Sequence, residues 1–435
     1  PLLHLMSCKP RICRAGVDFY KSNKIFPYNG NFKRIFQVTD ASFPPDCVYI
    51  YRKQLFNHII TRQKMKKGFV FLCGIAAMFS LLSCDNEDVG SGEYVEDDVY
   101  AFSMTFGTMP SLYAGLYAVD REIPTYFFFE RVQTFDQEGF PEHVMLCPYL
   151  GADQEEQMRD WMKNTIRDIN EKNPDAQFEL YVDDLRAGPI SHDFFAAQGI
   201  DMSRVKVIML SDGTGTYNEF FNNFGASGTG ETYWKKMVDE INSMSWSGDG
   251  AYVETKALPE FETHWHWSYP LATRENYTYI MHDSGLLETS DPYVKERIKE
   301  MHCEDRNVVD MLNGLSPDKQ KTFLSMIPYE KDVYVELMDE SPKPNLIING
   351  TSNDPENQRK YVGEVYEKYK DDYDVFFEPH PADESYLEYE TAFPGLKNIP
   401  KMSFEFVMMF IGDKIDAIGG YPSTIYLTVP VEKVK

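Results

Sequence analysis

The chain has 435 residues, of which 43% are apolar and 14% aromatic, so it is long enough to form two packed cores. Its formal net charge of −25 disfavours contact with phosphate backbones and excludes nucleic acid as an expected partner. The charge is uneven, because residues 1–64 carry 11 Lys and Arg against 3 Asp and Glu, whereas the remaining residues carry 32 against 65. We therefore expect residues 1–64 to be disordered upstream sequence that is not native to the fold.

A segment typical of an export signal follows at residues 65–84. Met65 begins a short basic head, an apolar run extends from Gly68 to Leu82, and Ser83 precedes Cys84. This order is typical of a secretory signal peptide, and its ending resembles the lipobox of bacterial lipoproteins, which implies lipid on the Cys84 sulfur. The alternative is a buried or transmembrane helix. The sequence thus predicts a lipid-anchored membrane lipoprotein of the bacterial cell envelope.

Three of the seven cysteines would remain after such processing. Cys147 and Cys303 are far apart in sequence, which is neither a disulfide framework nor the spacing of metal ligands. A bridge between them stays open, although two buried thiols are expected. The acidic segment at residues 85–99 is expected to form a solvated tether.

The first half of the mature chain, residues 100–262, alternates strands with helices. Apolar runs predict strands at residues 144–150, 178–182 and 205–210, and an amphipathic pattern predicts a helix at 154–173. Such alternation indicates a parallel sheet covered by helices. We therefore expect an α/β, Rossmann-like domain that would bind the acceptor.

The segment His264-Trp265-His266-Trp267 lies at the junction with the second half. On a strand, both histidines would point to the same side, as metal ligands sometimes do. No third ligand is apparent, so no metal site is expected. We expect instead an aromatic wall beside the cleft, able to pack against a sugar.

The second half, residues 263–435, repeats the alternation and is expected to be a second Rossmann-like domain. The predicted elements are helices over residues 293–341, strands at 345–348, 373–377 and 415–418, and a helix at 357–370. Two doubly wound domains facing a cleft are the resulting interpretation.

Polar residues follow directly on several of these strands, where open parallel sheets bind their ligands. Asp212 could accept a proton from an incoming hydroxyl, or it could belong to an ordinary Asp-Gly turn. His380 could contact a ligand, or it could lie in a structural His-Pro loop. Gly350 and Thr351 offer a further small polar loop.

Two further segments could hold an anionic ligand rich in hydroxyls. Glu405 follows Ser403 in the first turn of an apolar helix, where it either complements the helix dipole or accepts hydrogen bonds from two ribose hydroxyls. The Gly419–Thr424 segment either cradles an anion with backbone donors and the Ser423 and Thr424 hydroxyls, or forms an ordinary turn. Without a Walker lysine or a GxGxxG at a first strand, an ATPase or dehydrogenase is disfavoured.

The order of these segments resembles the bacterial sialyltransferases of glycosyltransferase family 80. That family has an aspartate before a glycine, a His-Pro after a strand, a Ser-Phe-Glu at a helix start, and a hydroxyl pair after a Gly-Gly turn. The matching residues here are Asp212, His380-Pro381, Ser403-Phe404-Glu405 and Ser423-Thr424. The resemblance spans residues 267–431 and is patchy between 100 and 210.

The resemblance implies the GT-B architecture of two Rossmann-like domains, with CMP-sialic acid as the donor substrate. Asp212 would act as general base on a galactoside acceptor that also contacts Trp267, and His380 would face the departing phosphate. The donor would also be bound by Gly350, Thr351, Pro381, Glu405, Ser423 and Thr424. No metal or other cofactor is implied, since protein groups would neutralise the phosphate.

Three substitutions depart from the family pattern. Ser211 replaces the first of two adjacent acids, Glu378-Pro379 replaces Lys-Gly before the His-Pro, and Thr424 replaces a serine. Glu378 adds a negative charge near the donor phosphate, which puts the identity of the donor in question. The family also continues past the position of Lys435, so the second domain is expected to be incomplete.

The sequence therefore predicts an inverting, metal-independent sialyltransferase held to a membrane by lipid. One alternative is a transferase that uses a related nonulosonic acid. Another is a surface lipoprotein that binds glycans or nucleotide sugars after losing its activity. An intracellular-type sugar transferase of another family is the last alternative.

Overall fold

The computed structural model describes residues 98–184, 192–243, 265–340, 342–351, 355–380, 383, 388–420, 429 and 431–435. The expected arm at residues 1–64, the signal with Cys84 and most of the tether lie outside these residues, as do Pro381, Ser423 and Thr424. Within the described ranges, no helix combines the length and apolarity needed to cross a membrane.

Seven parallel strands form the first sheet. They are β1 (Val99–Thr105), β2 (Thr125–Phe129), β3 (Val144–Leu146), β4 (Gln177–Asp183), β5 (Val205–Leu210), β6 (Tyr277–Met281) and β7 (Cys303–Asp305). Their order is β3-β2-β1-β4-β5-β6-β7. β1 and β4 are buried along nearly their whole length, as expected where helices cover both faces of a parallel sheet. The three strands predicted for the first half are confirmed, the one at 144–150 in a shorter form.

Four parallel strands form the second sheet. They are β8 (Asn345–Asn349), β9 (Asp374–Glu378), β10 (Lys397–Asn398) and β11 (Ala417–Gly420). Their order is β10-β9-β8-β11. The three strands predicted for this half are confirmed, although the last begins two residues later than the apolar run at 415–418 indicated.

Helices connect the strands of both sheets and fill the space between the sheets. In chain order the described helices are α1 (Thr108–Arg121), α2 (Glu155–Lys172), α3 (His192–Ala197), α4 (Thr214–Phe224), α5 (Gly230–Ser243), α6 (Trp265–Leu271), α7 (Pro292–Glu300), α8 (Val308–Gly314), α9 (Pro317–Ser325), α10 (Lys331–Asp339), α11 (Pro355–Tyr369), α12 (Tyr389–Ala392) and α13 (Phe404–Ile411). The predicted helices at 154–173 and 357–370 correspond to α2 and α11, and the stretch 293–341 contains α7 to α10.

Local sequence explains where α7 and α9 begin. Asp291 accepts hydrogen bonds from the backbone N–H groups of Tyr293 at 2.9 Å and Val294 at 3.3 Å, ahead of α7. Ser316 accepts one from the Lys319 N–H at 3.4 Å, ahead of α9. A proline occupies the first position of each helix, where its missing N–H costs nothing.

One apolar core continues from the first half into the second through the helices between the sheets. It includes Leu116 of α1, Leu312 of α8, Tyr334 of α10 and Phe410 of α13, none more than 4% exposed. The rings of Tyr334 and Phe410 lie 6.0 Å apart, centroid to centroid. Because this burial is continuous, apolar packing holds the two halves together and fixes how their strand ends meet.

The segment expected as a strand at residues 264–267 is a helix where the structure describes it. α6 begins at Trp265, and His264 lies outside the described residues. Trp267 is fully buried in a separate apolar core that lies within the first half. Its ring therefore presents no surface to a cleft. The expectation was wrong because a short aromatic run carries no period of its own, and burial decided its conformation.

The first sheet also extends beyond residue 263, where the sequence placed the start of the second domain. β6 pairs in parallel with β5, and β7 pairs in parallel with β6. Strand pairing therefore places residues 277–305 in the first sheet.

Candidate active site

The strand order of the first sheet reverses between β1 and β4, and open parallel sheets bind ligands at such a point. β1 leads into the turn at Phe106 and Gly107, and β4 leads into the pair Asp183-Asp184. Asp212 follows β5, which is the neighbour of β4. The position of Asp212 beyond a strand end is confirmed, and it lies beside the crevice.

Asp183 holds the turn after β1 in place. Its Oδ2 accepts hydrogen bonds from the backbone N–H groups of Phe106 at 3.2 Å and Gly107 at 2.8 Å. The side chain is 1% exposed, and these donors offset part of the cost of burying a carboxylate. The turn is thereby fixed immediately before α1 begins.

Asp184 is fully buried and contacts the backbone of Asp212. Its Oδ2 accepts hydrogen bonds from the Thr216 hydroxyl at 2.5 Å, the Tyr279 hydroxyl at 2.7 Å and the Asp212 N–H at 3.3 Å. Burial, followed by the charges of Asp183 and Asp212, raises the pKa of Asp184 well above its ordinary value. Sequence reasoning missed this residue, although two acids directly after a predicted strand were a usable signal.

Ser211 is 1% exposed and supports the turn that carries Asp212. Its hydroxyl donates to Thr216 Oγ1 at 3.1 Å and accepts from the Gly213 N–H at 3.2 Å. Gly213 has a φ of 78°, which glycine adopts at little cost, and α4 begins at the next residue. The acid beside Asp212 is therefore Asp184, from a neighbouring strand, while the preceding residue is a serine.

Gly107 packs directly against the side chain of Asp212. A β-carbon added at Gly107 would overlap Asp212 Oδ1. Because Gly107 has no side chain, the Asp212 carboxylate can occupy this space.

The order of the second sheet also reverses, between β8 and β11. Gly420, at the end of β11, has a φ of 128°, and a β-carbon there would overlap the backbone of Asn349, so only glycine fits. The Gly350 N–H donates to the Glu378 carbonyl at 2.8 Å. This bond ties the loop after β8 to the end of β9, so both belong to one edge of the sheet.

Gln358 of α11 joins the loop after β8 to the loop after β9. Its Oε1 accepts a hydrogen bond from the Thr351 N–H, and its Nε2 donates to Asp383 Oδ2 at 2.6 Å. The Asp383 N–H donates to the His380 carbonyl at 2.8 Å. Gln358 is fully buried and was not identified from the sequence, where a lone glutamine in a polar helix gives no signal.

His380 follows β9, as predicted, and is half-buried. Burial lowers the pKa of the imidazole, the charges of Arg131 and Lys401 lower it further, and Asp383 acts in the opposite direction. The ring is therefore neutral at pH 7. A neutral imidazole still has one N–H to donate in a hydrogen bond.

Glu405 lies in the first turn of α13, as predicted. Ser403 occupies the N-cap position, but its hydroxyl makes no capping hydrogen bond. Burial raises the pKa of Glu405, while a hydrogen bond from its own backbone N–H and the charge of Arg131 lower it. The carboxyl group thus complements the N-terminal end of the helix dipole, one of the two roles expected for it.

Glu378 is another carboxyl group at this edge and is only 2% exposed. Burial and then the charge of Glu405 raise its pKa well above the ordinary value. Its Oε1 has no hydrogen-bond partner within the part of the chain that the structure describes.

Arg131 brings the groups of both halves together. It lies just beyond β2, and its Nη1 donates to the hydroxyl of Thr108, the first residue of α1, at 3.0 Å. Its charge lowers the pKa values of both His380 and Glu405, so both lie within its electrostatic reach. The turn before Thr108 contacts Asp212, so Arg131 links the loop beside Asp212 to His380 and Glu405. Sequence reasoning missed Arg131, although a cation directly after a strand lies at the same sheet edge as Asp212.

Neither cysteine of the described chain is in a disulfide, so the bridge that the sequence left open is not formed. Cys147 is a buried thiol and Cys303 a partly buried one. Across the same residues, no group of three or more His, Cys, Asp or Glu side chains could hold a metal ion.

No family model and no curated protein matches the chain. Solved structures do match it. The first is an alpha/beta-galactoside alpha-2,3-sialyltransferase from Photobacterium phosphoreum, with a TM-score of 0.62 and 16% identity over 78% of this chain and 90% of that one.

Two further sialyltransferase structures are similar. The GT-B domain of the enzyme from Photobacterium damselae has a TM-score of 0.57 and 18% identity, covering 77% of this chain and 89% of that one. A 2,6-sialyltransferase from Photobacterium sp. JT-ISH-224, solved with CMP and lactose, has a TM-score of 0.56 and 16% identity, covering 77% of this chain and 70% of that one. These likenesses confirm the expected GT-B fold with its two parallel sheets.

Proposed function

We propose that the chain is an inverting, metal-independent glycosyltransferase that moves sialic acid, or a related nonulosonic acid, from a CMP donor to a galactoside. The observation that carries this proposal is Arg131, whose guanidinium contacts Thr108 beside the turn at Asp212 and whose charge acts on both His380 and Glu405. A base on one lobe and donor-binding groups on the other suit transfer between two bound substrates. The similar structure solved with CMP and lactose supports this choice of donor and acceptor.

Asp212 is the general base of the proposed reaction. It takes the proton of an acceptor hydroxyl while that oxygen forms a bond to the anomeric carbon of the donor sugar. The bond from the anomeric carbon to the phosphate oxygen breaks on the opposite face. CMP leaves with the bonding electrons, and the anomeric centre is inverted.

His380 and Arg131 stabilise the departing phosphate in this proposal. The neutral imidazole donates a hydrogen bond, and the guanidinium supplies a positive charge at an edge where the resembled family has a lysine in place of Glu378. Glu405 accepts hydrogen bonds from the ribose, beside the loop that contains Gly350.

Several predicted contacts are not part of this proposal or remain predictions. The backbone donor of Thr351 is already used by Gln358, and Trp267 is buried away from any acceptor. The donor contacts of Pro381 and of the Ser423-Thr424 pair remain predictions, as does lipid on Cys84, because these residues lie outside the described ranges.

A second candidate function is binding of the nucleotide sugar without transfer. The observation that favours it is Glu378, which places a buried carboxyl group beside Glu405. If Glu378 and Glu405 were both ionised, they would oppose the donor phosphate, and turnover would be lost while weaker binding remained.

The test of the proposed function is incubation of the purified protein with CMP-sialic acid and lactose, with UDP-N-acetylglucosamine as the control donor. We expect sialyllactose from the first donor and no product from the second. Saturable CMP binding in calorimetry without product would favour the binding protein. Neither binding nor product would overturn both candidates.

Gly107→Ala tests whether the packing of Asp212 matters for transfer. The backbone of Gly107, with φ of −90° and ψ of 161°, suits alanine. The methyl group should displace the Asp212 carboxylate, and its second close contact is Pro110 Cδ at 3.0 Å. We expect kcat to fall about tenfold or more, since a misplaced catalytic group loses alignment with its proton. Thermal unfolding and CMP calorimetry should match the unaltered protein. Unchanged kcat would show that Asp212 is not held by this contact.

A further inference from the structure

Glu378 is the last residue of β9 and pairs with Asn349 of β8. Its side chain is 2% exposed, and within the described chain its Oε1 has no hydrogen-bond partner. An ionised carboxyl group in such a place loses its hydration without replacement, which strongly favours the protonated form. Glu378 has no role in the proposed reaction.

The groups packed around Glu378 do not favour its ionisation. Glu405 faces it from α13 and Tyr334 from α10, where burial and then the charges of Tyr329 and Glu378 raise the pKa of the phenol. His380, two residues further along the chain, is neutral at pH 7.

Arg131, from the loop after β2, lowers the pKa of Glu405, which makes Glu405 the more readily ionised of the two carboxyl groups. With Glu378 holding a proton, the pair carries one negative charge. That charge lies on Glu405, which the ribose hydroxyls would contact. If both groups were ionised, an incoming phosphate would meet two negative charges that share one nearby guanidinium.

We propose that Glu378 is a positioning residue of the donor site that carries a proton in the nucleotide-bound state, so that donor binding above neutral pH takes up one proton from solvent. The inference rests on the proposed function, because it takes the donor to be a nucleotide with an anionic phosphate. The only bond formed is the O–H bond on the Glu378 carboxyl group. Glu405 remains a hydrogen-bond acceptor for the ribose.

The test is calorimetric titration with CMP between about pH 7 and pH 10, where the CMP phosphate no longer titrates, in buffers of different ionisation enthalpy. We expect proton uptake to approach one proton per bound CMP as pH rises. Over the same range the CMP affinity should fall by up to about tenfold per pH unit. Glu378→Gln, which is neutral at every pH and keeps the shape, should take up no proton. Glu364→Gln, an exposed carboxylate on α11, is the matched control and should behave as the unaltered protein.

Thermal unfolding of the same variants gives a readout that needs no nucleotide. Because the folded pKa of Glu378 is raised, its contribution to stability is present at low pH and is lost as pH rises through the folded value. The Tm of Glu378→Gln should therefore rise relative to that of the unaltered protein as pH increases from about 4.5, the ordinary value of the glutamate pKa, to the folded value, and the difference should level off above it. A difference that stays constant across that range would overturn the inference.

The calorimetry separates this inference from the function on which it rests. CMP affinity that is independent of pH, with no proton uptake, would overturn the role of Glu378 and leave the CMP donor intact. Absence of CMP binding at every pH would overturn the proposed donor, and the inference with it.

Discussion

Asp212→Ala is expected to abolish transfer while leaving donor binding largely intact. General-base catalysis contributes about 10²–10⁴-fold to a rate, so kcat should fall by about a thousandfold. CMP affinity should change little, because the proposed donor contacts are made by His380, Glu405 and Arg131 and not by Asp212. The loss should appear in kcat measured with saturating CMP-sialic acid and lactose.

The control for Asp212→Ala is Asp371→Ala, which removes an exposed carboxylate from the turn after α11. Asp212→Asn adds an isosteric variant that keeps the contact with Gly107 but cannot take a proton. Both Asp212 variants should be equally inactive and should unfold at the temperature of the unaltered protein. Full activity in Asp212→Asn would contradict the assignment of the base.

His380→Ala is expected to weaken both donor binding and turnover. A hydrogen bond to a charged group contributes about 1.5–3 kcal/mol, which corresponds to roughly tenfold to a hundredfold in CMP affinity. Loss of a donor aimed at the departing phosphate should lower kcat by about a further hundredfold. Calorimetry with CMP and steady-state kinetics measure the two effects separately.

The matched control for His380 is His302→Ala, an exposed histidine directly before the edge strand β7. His380→Gln retains an N–H donor and should recover part of the lost affinity. The neutral state of His380 also predicts no loss of CMP affinity as pH rises through about 6.5, the ordinary value for histidine. A steep loss of affinity at that pH would show that a charged imidazole binds the phosphate.

Much of the fold could be predicted because its signals are local. A buried parallel strand is a short apolar run, and its helices carry a 3.6-residue period, so both are visible without knowledge of the partners. The same logic placed Asp212 and His380 at strand ends, since a polar residue after an apolar run marks where the strand leaves the sheet. The prediction failed at α6, where an aromatic run has no period and is buried instead.

The residues that sequence reasoning missed are those whose role depends on neighbours from other strands. Asp184 matters because β4 lies beside β5, and Arg131 because β2 lies beside β1, which leads into Thr108. Gln358 links two loops that are adjacent only in the folded chain. Neither spacing nor composition contains the strand order that creates these contacts.

The amino-acid sequence by itself determined six of the described strands, the alternation typical of α/β halves, and several polar residues at strand ends, because each of these follows from the pattern within one short segment. The tertiary structure alone decided which strand ends adjoin, that Arg131 lies between the halves, that Trp267 is buried, and that Glu378 and Glu405 share one edge. The physical reason is that the free energy of a charged group or an aromatic ring depends on the groups packed around it. Those groups come from distant segments that a shared apolar core brings together.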